Sequence, residues 1–191
     1  MRAWINRLTA ALRGKPLPTP LSPGATPLDE RWMDRAIELA RLAAERNEVP
    51  VGAVVYRTAT GERIAEAHNT REGQRDPAGH AEFLAIRAAA EKVGDWRLNE
   101  FTLVVTLEPC LMCAGLMINA RLGRLVFGTA DPRAGGVVSL YTVLNDVRLN
   151  HRVPVVSGLR AAEASGVLRE FFVGRRNVIR AAGVKDGGNA Q

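Results

Sequence analysis

The passage from residue 101 to 128 constrains the fold of this chain more than any other. FTLVVTL (101–107) is an apolar, β-branched run with no turn signal inside it, the pattern of a buried strand. CLMCAGLMINARL (110–122) reads as a helix, and RLVFG (124–128) as a second strand. Strand, helix and strand at this spacing form a crossover unit with parallel strands. A hairpin signal precedes it: β runs near 51–57 and 62–68 flank Thr60-Gly61. Thr26-Pro27-Leu28-Asp29 starts a helix, with a capping threonine, a proline in the first turn and an acid three residues on. Met33, Ile37, Ala40 and Ala44 then recur at helical spacing. Residues 79–93 read as a helix ended by Gly94, RVPVV as a last strand, and about 160 to 181 as a long final helix. The order predicts an α/β fold: a three-layer α/β/α sandwich around a mixed, mainly parallel five-stranded sheet. Sites in such sheets form where strands end and helices begin. His-Ala-Glu opens one helix here, and PCLMC opens another.

Cys110 and Cys113 are the only cysteines in the chain. A thiol at a helix N-terminus meets unpaired N–H groups and the positive dipole end, and both favour the thiolate. Residues i and i+3 in a first turn share a face, and Pro109 suits that position. A redox pair, two small buried residues and a pair of metal ligands all fit this spacing. His80 adds an imidazole at the mouth of a second helix. Two thiolates and one neutral imidazole would balance a zinc ion and leave its fourth position open, as catalytic rather than structural sites do. His68 or His151 as a fourth ligand would make the site structural instead. Glu82, two residues past His80, reads either as the carboxylate that moves a proton at the open position or as an acid favouring the helix dipole.

Length and charge bound the rest. A chain of 191 residues suits one domain, expected at 28–182. No apolar run approaches the ~20 residues of a membrane-spanning helix, and two cysteines this close make a poor cross-link, which suggests reduced thiols inside a cell. Residues 1–27 carry four basic and no acidic side chains; 28–147 carry 14 basic and 17 acidic; 148–191 carry eight basic and three acidic. Basic ends on a mildly acidic body point to an anionic partner such as nucleic acid, or to solvated basic helix faces. Residues 1–27, with five prolines, read as a flexible or extended tail, and 183–191 as a disordered one.

His-Ala-Glu followed by Pro-Cys-Leu-Met-Cys is similar to the signature of the zinc nucleobase deaminases. VPVGAVV (49–55), AHN (67–69), HAEFLAIRAAA (80–90), WRLN (96–99), TLEPCLMCAG (106–115), NARLGRLVFG (119–128), DPRAGG (131–136), SLY (139–141), LNHRV (149–153) and FFVGRR (171–176) together resemble the bacterial tRNA-specific adenosine deaminases. The resemblance implies a cytidine deaminase-like fold and hydrolytic deamination of the wobble adenosine to inosine in a tRNA anticodon loop. It implies one zinc per subunit on His80, Cys110 and Cys113, with zinc-bound hydroxide as nucleophile and Glu82 as proton shuttle. Asn69, the backbone at Ala81 and Cys110, and the loop of Asp131 and Arg133 would meet the nucleotide. Phe172, Arg175 and Arg176 would meet the anticodon stem-loop, with Phe171 in the core.

The resemblance also implies a cytoplasmic homodimer, the GLMINARL face being a plausible contact, with no membrane and no other protein partner. The alternatives are a free-base or nucleoside deaminase acting on guanine or cytosine, which shares the zinc core, and a zinc module that only binds RNA. Three departures stand out. Leu111, expected to pack, replaces a common proline. Gly79 replaces a bulkier residue and predicts a looser loop. Gly166 and Gly174, each costing about 1 kcal/mol against alanine, predict bending or fraying of the last helix.

Overall fold

The computed structural model describes residues 24–181, with side chains through residue 177. The expected C-terminal tail and all but the last four residues of the expected N-terminal tail lie outside the described residues. The elements are α1 (Pro27–Glu45), β1 (Gly52–Arg57), β2 (Arg63–His68), a short α2 (Arg71–Gln74), α3 (Ala81–Val93), β3 (Phe101–Leu107), α4 (Leu111–Asn119), β4 (Arg124–Thr129), a 3-10 turn (Val143–Asn145), β5 (Val155–Ser157) and α5 (Ala161–Ala181).

The five strands form one sheet in the order β2-β1-β3-β4-β5. β1 is antiparallel to both of its neighbours, whereas β3–β4 and β4–β5 are parallel. The sheet is therefore mixed, and the expectation that it is mainly parallel is corrected, since two of its four pairings are antiparallel. The hairpin reverses the chain once; α3, α4 and then the segment carrying the 3-10 turn each cross over, so that β3, β4 and β5 run the same way as β2. α3 carries the chain from β2 over β1, so β3 lands against β1 running the same way as β2.

Side chains alternate cleanly through the sheet. Val54, Tyr56, Val104 and Val126 face a core shared with α1 and α5. Ala53, Val55, Leu103, Val105, Leu125 and Phe127 face a second core with α3 and α4. This period of two makes the three layers. α1 begins in a complete capping box between Thr26 and Asp29. It lies so close to β1 that a Cβ on Gly52 would stand 2.1 Å from the Ala36 carbonyl oxygen.

One of the departures turns out otherwise than expected. The loop at Gly79 is tight: its N–H donates to the Asp76 carbonyl, its carbonyl accepts from Thr70, and a Cβ would stand 3.0 Å from the Arg71 nitrogen. α5 runs unbroken through Gly166 and Gly174, anchored in its first two turns by buried Ala164 and Val167.

Candidate active site

The strand directions bring the C-terminal ends of β2, β3 and β4 to one edge of the sheet. Every residue that the sequence singles out for metal chemistry follows one of these ends. His80 is the N-cap residue of α3 and Cys110 the N-cap residue of α4, both in extended backbone. N-cap side chains usually accept from the first turn of their helix. Neither of these does; they face each other instead. The Ala81 N–H of α3 is satisfied from outside, by Asn69 Oδ1 at 2.9 Å.

His80 Nδ1 lies 3.6 Å from Cys110 Sγ and 3.7 Å from Cys113 Sγ. A zinc ion bound tetrahedrally, with Zn–S about 2.3 Å and Zn–N about 2.1 Å, holds its nitrogen and sulfur ligands about 3.6 Å apart. The three donors are therefore set at the spacing of zinc ligands. Among the described residues no fourth His, Cys, Asp or Glu joins this group. His68 Nδ1 donates to its neighbour Asn69's carbonyl and its Nε2 accepts from Arg46, while His151 Nε2 donates to the Leu122 carbonyl. Both alternative ligands are engaged elsewhere.

The electrostatics agree with that chemistry. A hydrogen bond from Cys113, outweighing burial and helped by His80, holds the Cys110 thiol down to about 4. The bond to Cys110, then burial, pushes Cys113 far up. The Cys110 thiolate raises His80 against the opposing effect of burial. A divalent cation held here would favour both cysteines as thiolates, since metal-bound thiols are deprotonated. Glu82 is buried beside Cys113, and burial pushes its carboxyl up to about 7. A group in that range both accepts and returns a proton near neutral pH.

A cleft of about 170 Å³ opens over these residues, large enough for a flat heterocycle, and Asn69, Arg71, His80, Glu82, Cys110 and Asp131 line it. Asp131 Oδ1 accepts the Arg133 and Ala134 N–H groups at 2.9 and 3.2 Å and so folds its own loop. The Arg133 side chain is exposed and is not part of the cleft wall; Ala81 is buried behind Asn69, which takes its N–H.

On α5, Phe172 is 44% exposed and stands edge-on to Phe171 with ring centres 5.4 Å apart. The Arg175 guanidinium lies over the Phe171 ring, and Arg176 is exposed. Phe171 is only half-buried and belongs to neither core, contrary to expectation, because no α5 residue from Leu168 to Asn177 is buried. Leu111 is corrected likewise: as the first residue of α4 it faces solvent, 49% exposed.

Sequence reasoning missed Glu48 and Glu108, which also line the cleft and are buried. The available signal for Glu108 was the pair Gly135-Gly136. A Cβ on Gly135 would stand 2.4 Å from the Glu108 carboxyl, so the diglycine marks where that side chain lies.

A zinc-type His/Cys/Cys site with an enclosed glutamate, set at the strand ends of a three-layer sandwich, defines a deaminase. The chain belongs to the MafB19-like deaminase family, whose model matches residues 28–176. Within that class it is a member of the tRNA-specific adenosine deaminases. It is 45% identical to the tRNA-specific adenosine deaminase of Bacillus subtilis over 154 residues, covering 81% of this chain and 94% of the relative. The corresponding Haemophilus influenzae protein is 43% identical over 148 residues, 78% of this chain and 85% of its own. Among solved structures, one from a study of A-to-I editing by tRNA:A34 deaminases superposes with a TM-score of 0.69 at 40% identity, covering 72% of this chain and 99% of that one. A guanine deaminase from Nitrosomonas europaea shares the fold alone, with a TM-score of 0.68 at 24% identity, covering 87% of this chain and 92% of that one.

Proposed function

We propose that this enzyme hydrolyses the 6-amino group of the wobble adenosine in a tRNA anticodon loop, giving inosine and ammonia. The observation that carries the reading is the His80–Cys110–Cys113 triangle at zinc-ligand spacing, with the Glu82 carboxyl enclosed beside it in one cleft. Zinc, one per subunit on these three residues, would supply the Lewis acidity that makes water nucleophilic near neutral pH.

The chain's own groups do the rest. Glu82 takes a proton from the attacking water and delivers it to the ring nitrogen beside carbon 6; it then takes the proton of the new hydroxyl on carbon 6 and passes it to the amino group, which leaves as ammonia as the carbonyl forms. The Asn69 amide, at the cleft wall, holds the nucleoside. The Asp131 loop, with Arg133 at its rim, flanks it. Ala81 contributes through its bond to Asn69 rather than as a direct donor. An anticodon loop is single-stranded, so its base can turn out into the cleft. Phe172, Arg175 and Arg176 offer a stacking ring and two cations to the same loop.

No helix among the described residues is long and apolar enough to cross a membrane. We propose that the enzyme works in the cytoplasm, where a tRNA substrate would be met. We further propose a homodimer. Most of GLMINARL packs inside the subunit, but Leu111 and Met112 at the start of α4, together with Leu140, Tyr141 and Leu149, are exposed apolar residues suited to a second copy. Sedimentation of the purified protein tests this; a monomer at micromolar concentration would overturn it.

The deciding experiment for the activity offers the enzyme an anticodon stem-loop with a wobble adenosine, free guanine and free cytosine side by side. Inosine from the stem-loop is the expected product. Turnover of a free base with none on the stem-loop would establish the free-base deaminase instead.

A further inference from the structure

We propose that Glu48 and Glu108 are positioning residues: two buried carboxylates that fix the two walls of the cleft through backbone amides and so set how the RNA seats beside the metal ligands. Glu48 is 3% exposed and Glu108 2%. Among the described residues neither forms a salt bridge, so neither is compensated by a cation at close range. A buried charge without a counter-charge is costly unless hydrogen bonds replace its water. Here the donors are amides of α2, within the loop that follows β2, and amides of the loop that follows β4.

Glu48 accepts the Glu72 N–H at 3.0 Å on Oε2 and the Gly73 N–H at 2.7 Å on Oε1. Glu108 accepts the Val137, Val138 and Ser139 N–H groups on Oε1 at 3.2, 2.7 and 2.9 Å, and the Asp131 N–H on Oε2 at 2.9 Å. The Ser139 hydroxyl also donates to Oε2. Each loop sets a glycine against its carboxylate: a Cβ on Gly73 would stand 3.3 Å from Glu48 Oε1, and one on Gly135 only 2.4 Å from Glu108.

The two loops follow β2 and β4, which lie on either side of β1 and β3 in the sheet. They are thus the two flanks of the cleft. One presents Arg71 and Glu72 to it, the other Asp131 and Ala134. Neither glutamate is needed to hold the metal or move a proton. Both fix the walls against which the RNA seats, so their loss falls on substrate binding rather than on the chemical step. Glutamine is the sharp replacement, because its amide nitrogen must face N–H donors on one side or the other.

This inference rests on the RNA reading only for its substrate. The test uses full-length, zinc-loaded protein with Glu48→Gln and Glu108→Gln. Hydrogen exchange should rise about tenfold or more at the Glu72 and Gly73 amides in the first variant, and at Asp131 and Val137–Ser139 in the second, each confined to its own loop. The KM for the stem-loop should rise about tenfold, with kcat changed less than threefold and zinc content unchanged. A lowered Tm with unchanged exchange at those amides, or raised exchange with an unchanged KM, would overturn the proposal. Should Glu108→Gln fail to fold, Ser139→Ala removes one donor to the same carboxylate and must shift exchange and KM in the same direction. If the parent enzyme proves inactive on the stem-loop, the substrate reading falls, and the exchange result alone still decides whether these carboxylates fix the loops.

Discussion

Asn69 Oδ1 accepts the Ala81 N–H at 2.9 Å, so one side chain closes the end of β2 onto the start of α3. The oxygen of that amide is spent on the helix. Its nitrogen is what remains for a ligand in the cleft that Asn69 lines. Structural and substrate roles therefore fall on different atoms of one residue.

Aspartate at position 69 separates them. Asn69→Asp keeps the capping oxygen and loses the amide nitrogen. Hydrogen exchange at the Ala81 amide should stay at the parent's level, because the capping oxygen remains, while deamination falls at least tenfold. Asn69→Ala loses the cap as well, at a cost of about 1 kcal/mol. Full activity in the aspartate variant, measured as inosine formed on the stem-loop, would remove Asn69 from substrate binding.

Glu82→Gln should retain zinc, measured by elemental analysis, and lose activity by a factor of 100 to 10,000, roughly the range for removal of a general acid–base group. Cys110→Ser and His80→Ala should lose both. Substantial activity in Glu82→Gln would mean that another group moves the proton.

How much of this was legible in the sequence depended on the physics behind each signal. Helix α1, the hairpin and the β3–α4–β4 unit were readable because caps, turns and apolar periodicity are local. The pairing of β1 with β3 was not, because it is a contact between segments about 50 residues apart with no local mark. The metal ligands were readable because thiols and imidazoles are rare and their spacing at helix starts is diagnostic. Glu48 and Glu108 were not. An acid in sequence looks the same whether water or backbone amides surround it, and only folding brings 131–139 onto Glu108. Leu111 and Phe171 were misplaced for a related reason: apolar character predicts burial on average, and a helix end that leaves the sheet breaks that average.

The basic face of α5 predicts a salt dependence. If Arg175 and Arg176 each neutralise one phosphate of the anticodon loop, log K for the stem-loop should fall by about 0.7 per log unit of salt for each contact. The Arg175→Ala/Arg176→Ala double variant should therefore lower the slope by about 1.4 while leaving the zinc content alone. Phe172→Ala should weaken binding by about 1 to 3 kcal/mol with no change in slope, since stacking carries no counterions. Filter-binding titrations between 50 and 500 mM salt read both quantities, and a slope unchanged in the double variant would clear α5 of phosphate contact.

The last prediction concerns acid stability. Asp29 is fully buried. Arg124 grips both of its oxygens at 2.7 and 2.8 Å, the Tyr56 hydroxyl donates at 2.7 Å, and the Thr26 N–H donates at 2.7 Å. Burial acts to raise the carboxyl, but Arg124, Thr26 and Tyr56 together outweigh it, and the folded-state pKa lies below the ordinary value. A depressed carboxyl contributes stability that is whole above its unfolded pKa of about 3.9. That contribution is lost as pH falls through the lower folded value. Urea midpoints between pH 2.5 and 7 should therefore drop more steeply below about pH 4 in the parent than in Asp29→Asn, which has no proton to gain. Arg124→Met should cost about 3 kcal/mol at pH 7, because it strands a buried charge, and that cost should shrink in acid as Asp29 becomes neutral. Parallel stability curves for parent and Asp29→Asn across the acid range would show that the pair contributes nothing that depends on ionisation.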